Sequence, residues 1–522
     1  MHPRRISILD TTLRDGSQAP GYFFSLDDKI RLVDYLERIG VDIIEVGFPA
    51  SSSMQFNDIR TIAGMAKNSA VAVMARSLPA DIKTAAGAIR SSRKGLIHLS
   101  IATSPLHREY KLKMDRSQVM KKAVEAVHFA KGYCSLVEIG AEDATRTEPE
   151  FLAEFCNAVA DAGADIINIA DTVGFCQPEE FYFIIKDLIH NVPAILSEKT
   201  HLSIHCHNDL GLAAANTLAG LSAGAMQAEC TLFGIGERSG NTALEEVVIS
   251  LDVRKDYFKN ISTGIHPELF VEGRKLLEQI TGIPLPASKP IIGRNSFVHS
   301  SGIHQHGMTV KTQTYELFTP EKIGECTRRF QLNSQSGSAG VRQVIQERFG
   351  LNISELQLAE VLLDVKAAHF PVSSTALIIM LNKKKIIISE IWAVSDFSSV
   401  RKETDRITLS FSIKSTFGKL INISSEEENP YAFITDRINE VFFLDIAISE
   451  MVFSKAGLDP AMTGHFFLKS ICKGETFFSE RKGADDIRLF IESLLDIINE
   501  HEIKRGDDEY EEKRLLDQAS DD

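Results

Sequence analysis

Eight short apolar runs, each trailed by a longer amphipathic stretch, recur through the first half of this chain: Ile6 to Leu9, Ile43 to Val46, Val71 to Met74, Leu96 to Leu99, Leu136 to Ile139, Ile166 to Ile169, Leu202 to His205 and Gln227 to Thr231. Short apolar runs bounded by turn signals read as buried parallel strands, and the stretches between them, apolar every three or four positions, as helices. Strands spaced roughly 25–40 residues apart, each followed by a helix, predict an α/β protein built on a (β/α)8 barrel, whose usual length is about 250 residues. An open doubly wound sheet is the alternative. The first helix carries clear local signals: Ser25 as cap with Asp28 at the reciprocal position, Ile30, Val33, Leu36 and Ile39 on one face, and Gly40 as the stop. Lys29, Asp34 and Arg38 are expected on its solvated face.

The rhythm breaks at Pro284, Pro286 and Pro290, because closely spaced prolines cannot continue a helix. This predicts a barrel over 1–283 and a helical linker subdomain over 284–388, with Ser354 to Ala368 its clearest amphipathic run. Beyond it, Ile386 to Trp392, Ile407 to Ile413 and Leu420 to Ser424 read as strands and Tyr431 to Phe442 as a helix. The order recurs with Ile446 to Phe453, Phe466 to Cys472, Thr476 to Ser479 and the helix Asp485 to Asn499. Tandem βββα units thus predict an α+β domain over 389–500, ahead of a charged tail over 501–522. With 57 Lys and Arg against 71 Asp and Glu, the net charge of −14 argues against a nucleic-acid partner, whose phosphates demand basic residues. Seven cysteines without C-x-x-C pairs fit a reducing compartment. No run of about 18 apolar residues suits a membrane span, and no leader pattern opens the chain. The expectation is a cytoplasmic protein with no membrane partner.

The sharpest chemical signal is His205-Cys206-His207-Asn208-Asp209 at the end of the seventh strand. Residues i and i+2 of a strand point the same way, so both imidazoles can approach one cation; a hydrogen-bonded pair of barrel histidines is the plainer reading. Asp15 follows strand one and Asn241 follows strand eight, and in a closed barrel strands one, seven and eight adjoin with their C-terminal ends at one mouth. One carboxylate, two imidazoles and an amide would converge there as a mixed oxygen and nitrogen site. Arg14, always charged, can clamp a carboxylate beside it. Glu138 lies within the fifth apolar run, where an unpaired carboxylate is costly, so it is expected to face the polar mouth and pair there. Thr172 can donate its hydroxyl to a substrate carboxylate, or simply form a turn.

Longer motifs then carry a resemblance: Asp10-Thr-Thr-Leu-Arg-Asp-Gly16, Glu45-Val-Gly-Phe-Pro-Ala50, His107-Arg-Glu-Tyr-Lys-Leu-Lys-Met114, His205-x-His-Asn-Asp209 and Gly234-x-Gly-Glu-Arg-x-Gly-Asn241, followed by Gly293 to His299, Gly302 to Gln305 and Asn333 to Gly337. Together they resemble the 2-isopropylmalate synthase and homocitrate synthase family of metal-dependent barrel enzymes. The resemblance implies that Asp15, His205 and His207 hold a divalent cation (Mg, Mn or Zn), with Asn241 at or near it. It implies a Claisen-type condensation of acetyl-CoA with a 2-oxo acid oriented by Arg14 and Thr172, with His107 on the substrate side. His304 matches a histidine that the family places near the chemistry, with Glu138 in support, and Tyr315 is a candidate acid or water-orienting group. A homodimer is implied as well. Phe48-Pro49 and the His107 to Met114 segment resemble isopropylmalate enzymes most, favouring 3-methyl-2-oxobutanoate as acceptor; citramalate and homocitrate synthases, a lyase on the same barrel and a non-catalytic metabolite-sensing relative are the alternatives. Ser17 stands where the family usually carries Glu. The tandem βββα units resemble the family's leucine-binding regulatory domain, in divergent form. The first expected turn, Ser425 to Pro430, lacks the glycines that let backbone amides approach a ligand and carries three glutamates that oppose its carboxylate, and the second is Glu480 to Asp485, so a dimerisation module with weak or absent leucine inhibition is expected.

Overall fold

The computed structural model describes residues 4–259, 261–326, 328–368, 371–386, 392–401, 406–415, 419–442, 444–455, 464–472 and 475–501. The chain packs as two compact units, Met1–Ser296 with Phe318–Cys326, and Phe297–Leu317 with Thr327–Asp522. The expected limit at residue 283 therefore falls inside the first unit. There Lys289 pairs with Glu245 and Glu246, and Arg294 with Glu278, tying residues 284–296 to the barrel helices.

The first unit is a closed parallel barrel of β1 (Ser7–Asp10), β2 (Ile43–Glu45), β3 (Ala70–Arg76), β4 (Gly95–Ala102), β5 (Leu136–Glu142), β6 (Ile166–Asp171), β7 (His201–Cys206) and β8 (Gln227–Cys230). Every expected strand is present, and β8 closes on β1 through Ser7↔Gln227 and Leu9↔Glu229. The helices between and after the strands are α1 (Leu26–Ile39), α2 (Ser53–Met65), α3 (Pro79–Ala88), α4 (Arg116–Lys131), α5 (Pro149–Asp161), α6 (Pro178–Asn191), the short α7 (Pro193–Leu196), α8 (Ala213–Ala223), α9 (Leu244–Val253) and α10 (Phe270–Thr281). The capping box of α1 forms as expected, with Ser25 Oγ accepting from Asp28 N–H and the Asp28 carboxylate from Ser25 N–H. Lys29, expected in solvent, is buried instead: its long stem crosses to α2, where Nζ lies 2.7 Å from Asp58 Oδ2, so the charge keeps a partner. Leu9, Ile43, Ala70, Ala72, Leu96 and Ile166, with Leu136 against them, form an apolar cluster in which six of the strands meet. The site's polar side chains come from the ends of β1, β7 and β8.

In the second unit, β9 (Val298–His299) and β10 (Arg329–Phe330) pair in parallel, alongside α11 (Gly302–Val310), α12 (Ser338–Phe349), α13 (Glu355–Ala367) and α14 (Ser374–Lys383). Ser354 caps α13 as its amphipathic pattern suggests. Two antiparallel sheets follow: β11 (Trp392–Arg401), β12 (Ile407–Ser415) and β13 (Leu420–Glu427), then α15 (Pro430–Phe442), then β14 (Ile446–Lys455), β15 (Gly464–Cys472) and β16 (Glu475–Gly483). Residues 486–501 form the closing helix. Both first strands bulge at the same place, two residues in, at Val394/Asp396 and at Ile448/Glu450. A shared irregularity of this kind marks the two βββα units as one repeated design. Of the strand read from Ile386 to Trp392, residues 387–391 lie outside the described residues, as does the tail from 502; the described strand is Trp392–Arg401. The polar edge of β11, with Trp392, Val394 and Phe397 turned towards the core, hides its strand character from an apolar-run reading.

The two expected turns are strand ends. Glu426 faces Thr408 and Glu427 faces Ile407 within the β12–β13 ladder, and β16 runs on to Gly483. The helices begin at Asn429, which caps Ala432 N–H, and at Asp485, which caps Arg488 N–H. Extended backbone needs no glycine, so the missing glycines of Ser425 to Pro430 carry no conclusion about leucine.

Candidate active site

The strand ends build the site from short local turns. After β1, the Asp10 carboxylate accepts from Thr12 N–H at 2.9 Å, folding the chain so that Arg14 and Asp15 are buried at 9% and 4% exposure. Arg14 is held at three nitrogens: Nε donates to Glu45 Oε2 at 2.6 Å, Nη1 to Asp15 Oδ2 at 2.6 Å and Nη2 to Glu229 Oε1 at 2.9 Å. A guanidinium has five N–H groups, so two stay available to an incoming oxygen. Ser17, where the family usually has Glu, turns its hydroxyl back to the Arg14 carbonyl at 2.8 Å.

Asp15, His205 and His207 come together as expected, each offering a ligand atom with all of these within 4.8 Å of one another. The two Nε2 atoms are 3.0 Å apart, and Asp15 Oδ2 lies 3.8 and 3.9 Å from them. Nitrogens each about 2.1 Å from one ion and at right angles across it are about 3.0 Å apart, so the pair has a ligand spacing. His205 Nδ1 is engaged by Glu229 Oε1 at 3.1 Å, which leaves Nε2 for the cavity. Asn241 donates to Asp15 Oδ1 at 3.2 Å, while its own Oδ1, like His207 Nδ1, is buried without a hydrogen-bond partner. Buried polar atoms are almost always paired, so an orphaned amide oxygen beside a carboxylate and two imidazoles fits an oxygen- and nitrogen-binding divalent cation. Burial and the charge of His205 push His207 down to about 4, a neutral ring with a lone pair at neutral pH. Burial would raise Asp15, yet Arg14, His205 and His207 hold it at about 2, an anion.

The glycines of the β8 loop have a visible use. A Cβ at Gly236 would lie 2.1 Å from Asn241 Nδ2, so only glycine lets the amide into the site. At Gly174, after β6 and at φ 59°, a Cβ would likewise come within 2.8 Å of Asp209 N and His207 O.

The opposite rim is built by β4, β5 and β6. His107 sits on the π-helical turn His107–Leu112, half-buried, with Nδ1 3.4 Å from Glu142 Oε1 and Nε2 4.0 Å from Asp143 Oδ2. Thr172 Oγ1 accepts from Asp143 N–H at 2.8 Å, leaving its own hydrogen to donate. Arg238 joins the rims, bonding both carboxylate oxygens of Asp209 and the Thr172 carbonyl.

Glu138 is not at the mouth. It is the third residue of β5, fully buried, and its carboxylate accepts from Gln227 Nε2 at 3.0 and 3.1 Å and from Asn168 Nδ2 at 3.1 Å. The carboxylate at the C-terminal end of that strand is Glu142, four residues on, paired with Lys111 at 2.5 Å. The period-two alternation of a strand turns both inward, and the apolar run alone does not say which reaches the rim. Glu45, His98 and Glu229 join the site's buried network without having been expected there. Each is a charged or titratable residue inside an apolar run, the very signal that singled out Glu138.

In the second unit, the His304 and Tyr315 rings stack with centroids 4.1 Å apart at 31°. His304 is exposed on α11, Tyr315 is 43% exposed, and a Cβ at Gly307 would strike the Tyr315 ring.

Two family models match the chain, HMGL-like over residues 5–274 and homocitrate synthase post-HMGL domain-like over residues 291–370. The 2-isopropylmalate synthase of Sediminispirochaeta smaragdinae is 37% identical over 521 residues, 96% of this chain and all of that one. That of Nitratidesulfovibrio vulgaris is 47% identical over 362 residues, 69% of this chain and 70% of the relative. The 2-isopropylmalate synthase 1 of Caldanaerobacter subterraneus is 44% identical over 360 residues, 69% of this chain and 90% of the relative.

Proposed function

The chain belongs to the 2-isopropylmalate synthase family, and on that premise we propose that it condenses acetyl-CoA with 3-methyl-2-oxobutanoate to give 2-isopropylmalate, the first step of leucine biosynthesis. The observation that carries this reading is the convergence of Arg14, Asp15, His205, His207 and Asn241 at one end of the barrel.

Asp15, His205 and His207 would hold a divalent cation, with Asn241 Oδ1 beside it. Such an ion supplies Lewis-acid polarisation of the acceptor carbonyl. Arg14 offers its two remaining N–H groups to the acceptor oxygen on which negative charge develops, and it is fixed beforehand by Glu45, Asp15 and Glu229, so little reorganisation is needed. Thr172 donates to the acceptor carboxylate and His107 lines the substrate side. His304 takes a proton from the acetyl-CoA methyl, the resulting carbon attacks the ketone carbon, and the alkoxide is protonated; water then cleaves the thioester, releasing the thiol. Tyr315, stacked on His304, limits that ring's orientation and can hand a proton to the product or orient the water. Glu138 enters as an interior member of the network beneath Arg14 and His205.

Among the described residues no helix is long and apolar enough to cross a membrane. The seven free cysteines fit a cytoplasmic setting, and family resemblance supports a homodimer.

Thiol release from acetyl-CoA, measured across a panel of 2-oxo acids, tests the reading. The specificity constant should be highest for 3-methyl-2-oxobutanoate. Pyruvate and 2-oxobutanoate should still turn over, because methylene-scale discrimination is worth only about 1–3 kcal/mol. A higher constant for pyruvate, or turnover only with 2-oxoglutarate, would move the protein to a sister activity.

A further inference from the structure

Among the described residues, Glu229 bonds both a histidine of the candidate metal centre and Arg14. The register explains how: Glu229 on β8 lies across from His205 on β7 and from Leu9 on β1, the strand whose end carries Arg14. Its Oε1 receives His205 Nδ1 at 3.1 Å and Arg14 Nη2 at 2.9 Å, and its Oε2 receives Asn168 Nδ2 at 2.7 Å. At 1% exposure, no water competes for these contacts.

We propose that Glu229 is a positioning residue for the condensation: one buried carboxylate fixes both the His205 tautomer that leaves Nε2 for the cation and the plane of the Arg14 guanidinium that receives the acceptor acid. The inference rests on reading Asp15, His205 and His207 as cation ligands and Arg14 as the acceptor clamp. An imidazole with its Nδ1–H held by a carboxylate presents a fixed, more basic Nε2.

Glu45 supplies the contrast. It holds Arg14 Nε, Thr11 Oγ1 and His98 Nδ1 at 2.6, 2.6 and 2.8 Å, with no bond to His205 or His207. Glu45 therefore orients the guanidinium alone, and Glu229 orients the guanidinium and the ligand together.

The test uses the full chain, with Zn2+ affinity read by competition against a chromogenic chelator and with KM measured separately for 3-methyl-2-oxobutanoate and acetyl-CoA. E229Q is expected to weaken Zn2+ binding by about 10- to 100-fold, the usual cost of losing a carboxylate behind a ligating histidine. It should also raise the KM for the 2-oxo acid and leave that for acetyl-CoA within about twofold. E229D, which keeps the charge but shortens the reach, should fall between wild type and E229Q. E45Q should raise the 2-oxo-acid KM with Zn2+ affinity within about twofold of wild type. In a His205→Ala background, E229Q should cost less than about twofold in Zn2+ affinity, because its route to the ion is gone. Wild-type Zn2+ affinity in E229Q and E229D, or the same loss with and without His205, overturns the inference. If the wild type binds Zn2+ through His205 but releases no thiol with any 2-oxo acid, the condensation reading fails while the affinity arm still decides the tautomer claim.

Discussion

Two buried clusters of the barrel each bring a trio of histidine and carboxylate ligand atoms within 4.8 Å: Asp15 with His205 and His207, and His98 with Glu138 and Glu229. Ligand type and spacing alone would rank them equally. They differ in what is left over. In the second cluster the Glu138 oxygens are taken by Gln227 and Asn168, Glu229 by His205, Arg14 and Asn168, and His98 Nδ1 by Glu45. In the first, Asn241 Oδ1 and His207 Nδ1 are buried without partners, and two Nε2 atoms face each other. A satisfied network holds a barrel together, whereas buried polar atoms left without partners among ligand-type side chains mark a site prepared for something else.

The comparison breaks first on His207→Ala. Removing one of three converging ligands is expected to abolish turnover and bound cation together, with one ion per chain lost on equilibrium dialysis. A His207→Ala protein that keeps its cation and its condensation activity would transfer the assignment to the second cluster.

Glu138→Ala makes the converse case. It takes one buried acceptor from each of the Gln227 and Asn168 amides and one of the carboxylates that offset the charge of His98, so the effect should appear in stability, at about 3–5 kcal/mol by chemical denaturation. The cation stoichiometry of whatever protein remains folded should stay at one per chain. Cation loss at unchanged stability would mean that the saturated cluster is the ligand set after all.

The mildest effect is a pH dependence. Burial opposes a charge on His98, but Glu138 and Glu45 outweigh it and raise the ring from 6.5 to about 9. A folded-state value above the unfolded one means stabilisation that is complete below pH 6.5 and lost as pH rises through about 9, at most about 3 kcal/mol from this ring. Denaturation midpoints measured from pH 6 to 9.5 should fall in wild type and flatten in His98→Asn. Parallel slopes in the two proteins would show that His98 carries no such charge.

The barrel was legible because its signals are local. A strand run, a cap such as Ser25 with Asp28, and a stop such as Gly40 each need only a few neighbouring residues, and all three are found where the pattern puts them. The His205 and His207 pair was legible for the same reason, since period two within one strand suffices to turn both rings one way. Lys29 was misread because helix periodicity says which face a residue occupies but not that α2 offers Asp58 across the gap. Ser425 to Glu427 was misread because serine and glutamate suit a loop by composition, and only the β12 ladder extends them.

By itself, then, the chain determined an eightfold alternation of strand and helix, two imidazoles on one face, and an acid and an amide at strand ends that must adjoin once the barrel closes. Only the tertiary structure decided which carboxylates stand at the rim and which in the interior. Arg14 meets Glu45 31 residues away and Glu229 215 residues away, partners chosen by inter-strand register. Register between distant strands is set by the packing of the whole barrel, where a shift of one residue turns every side chain to the other face, and no short stretch of sequence encodes it.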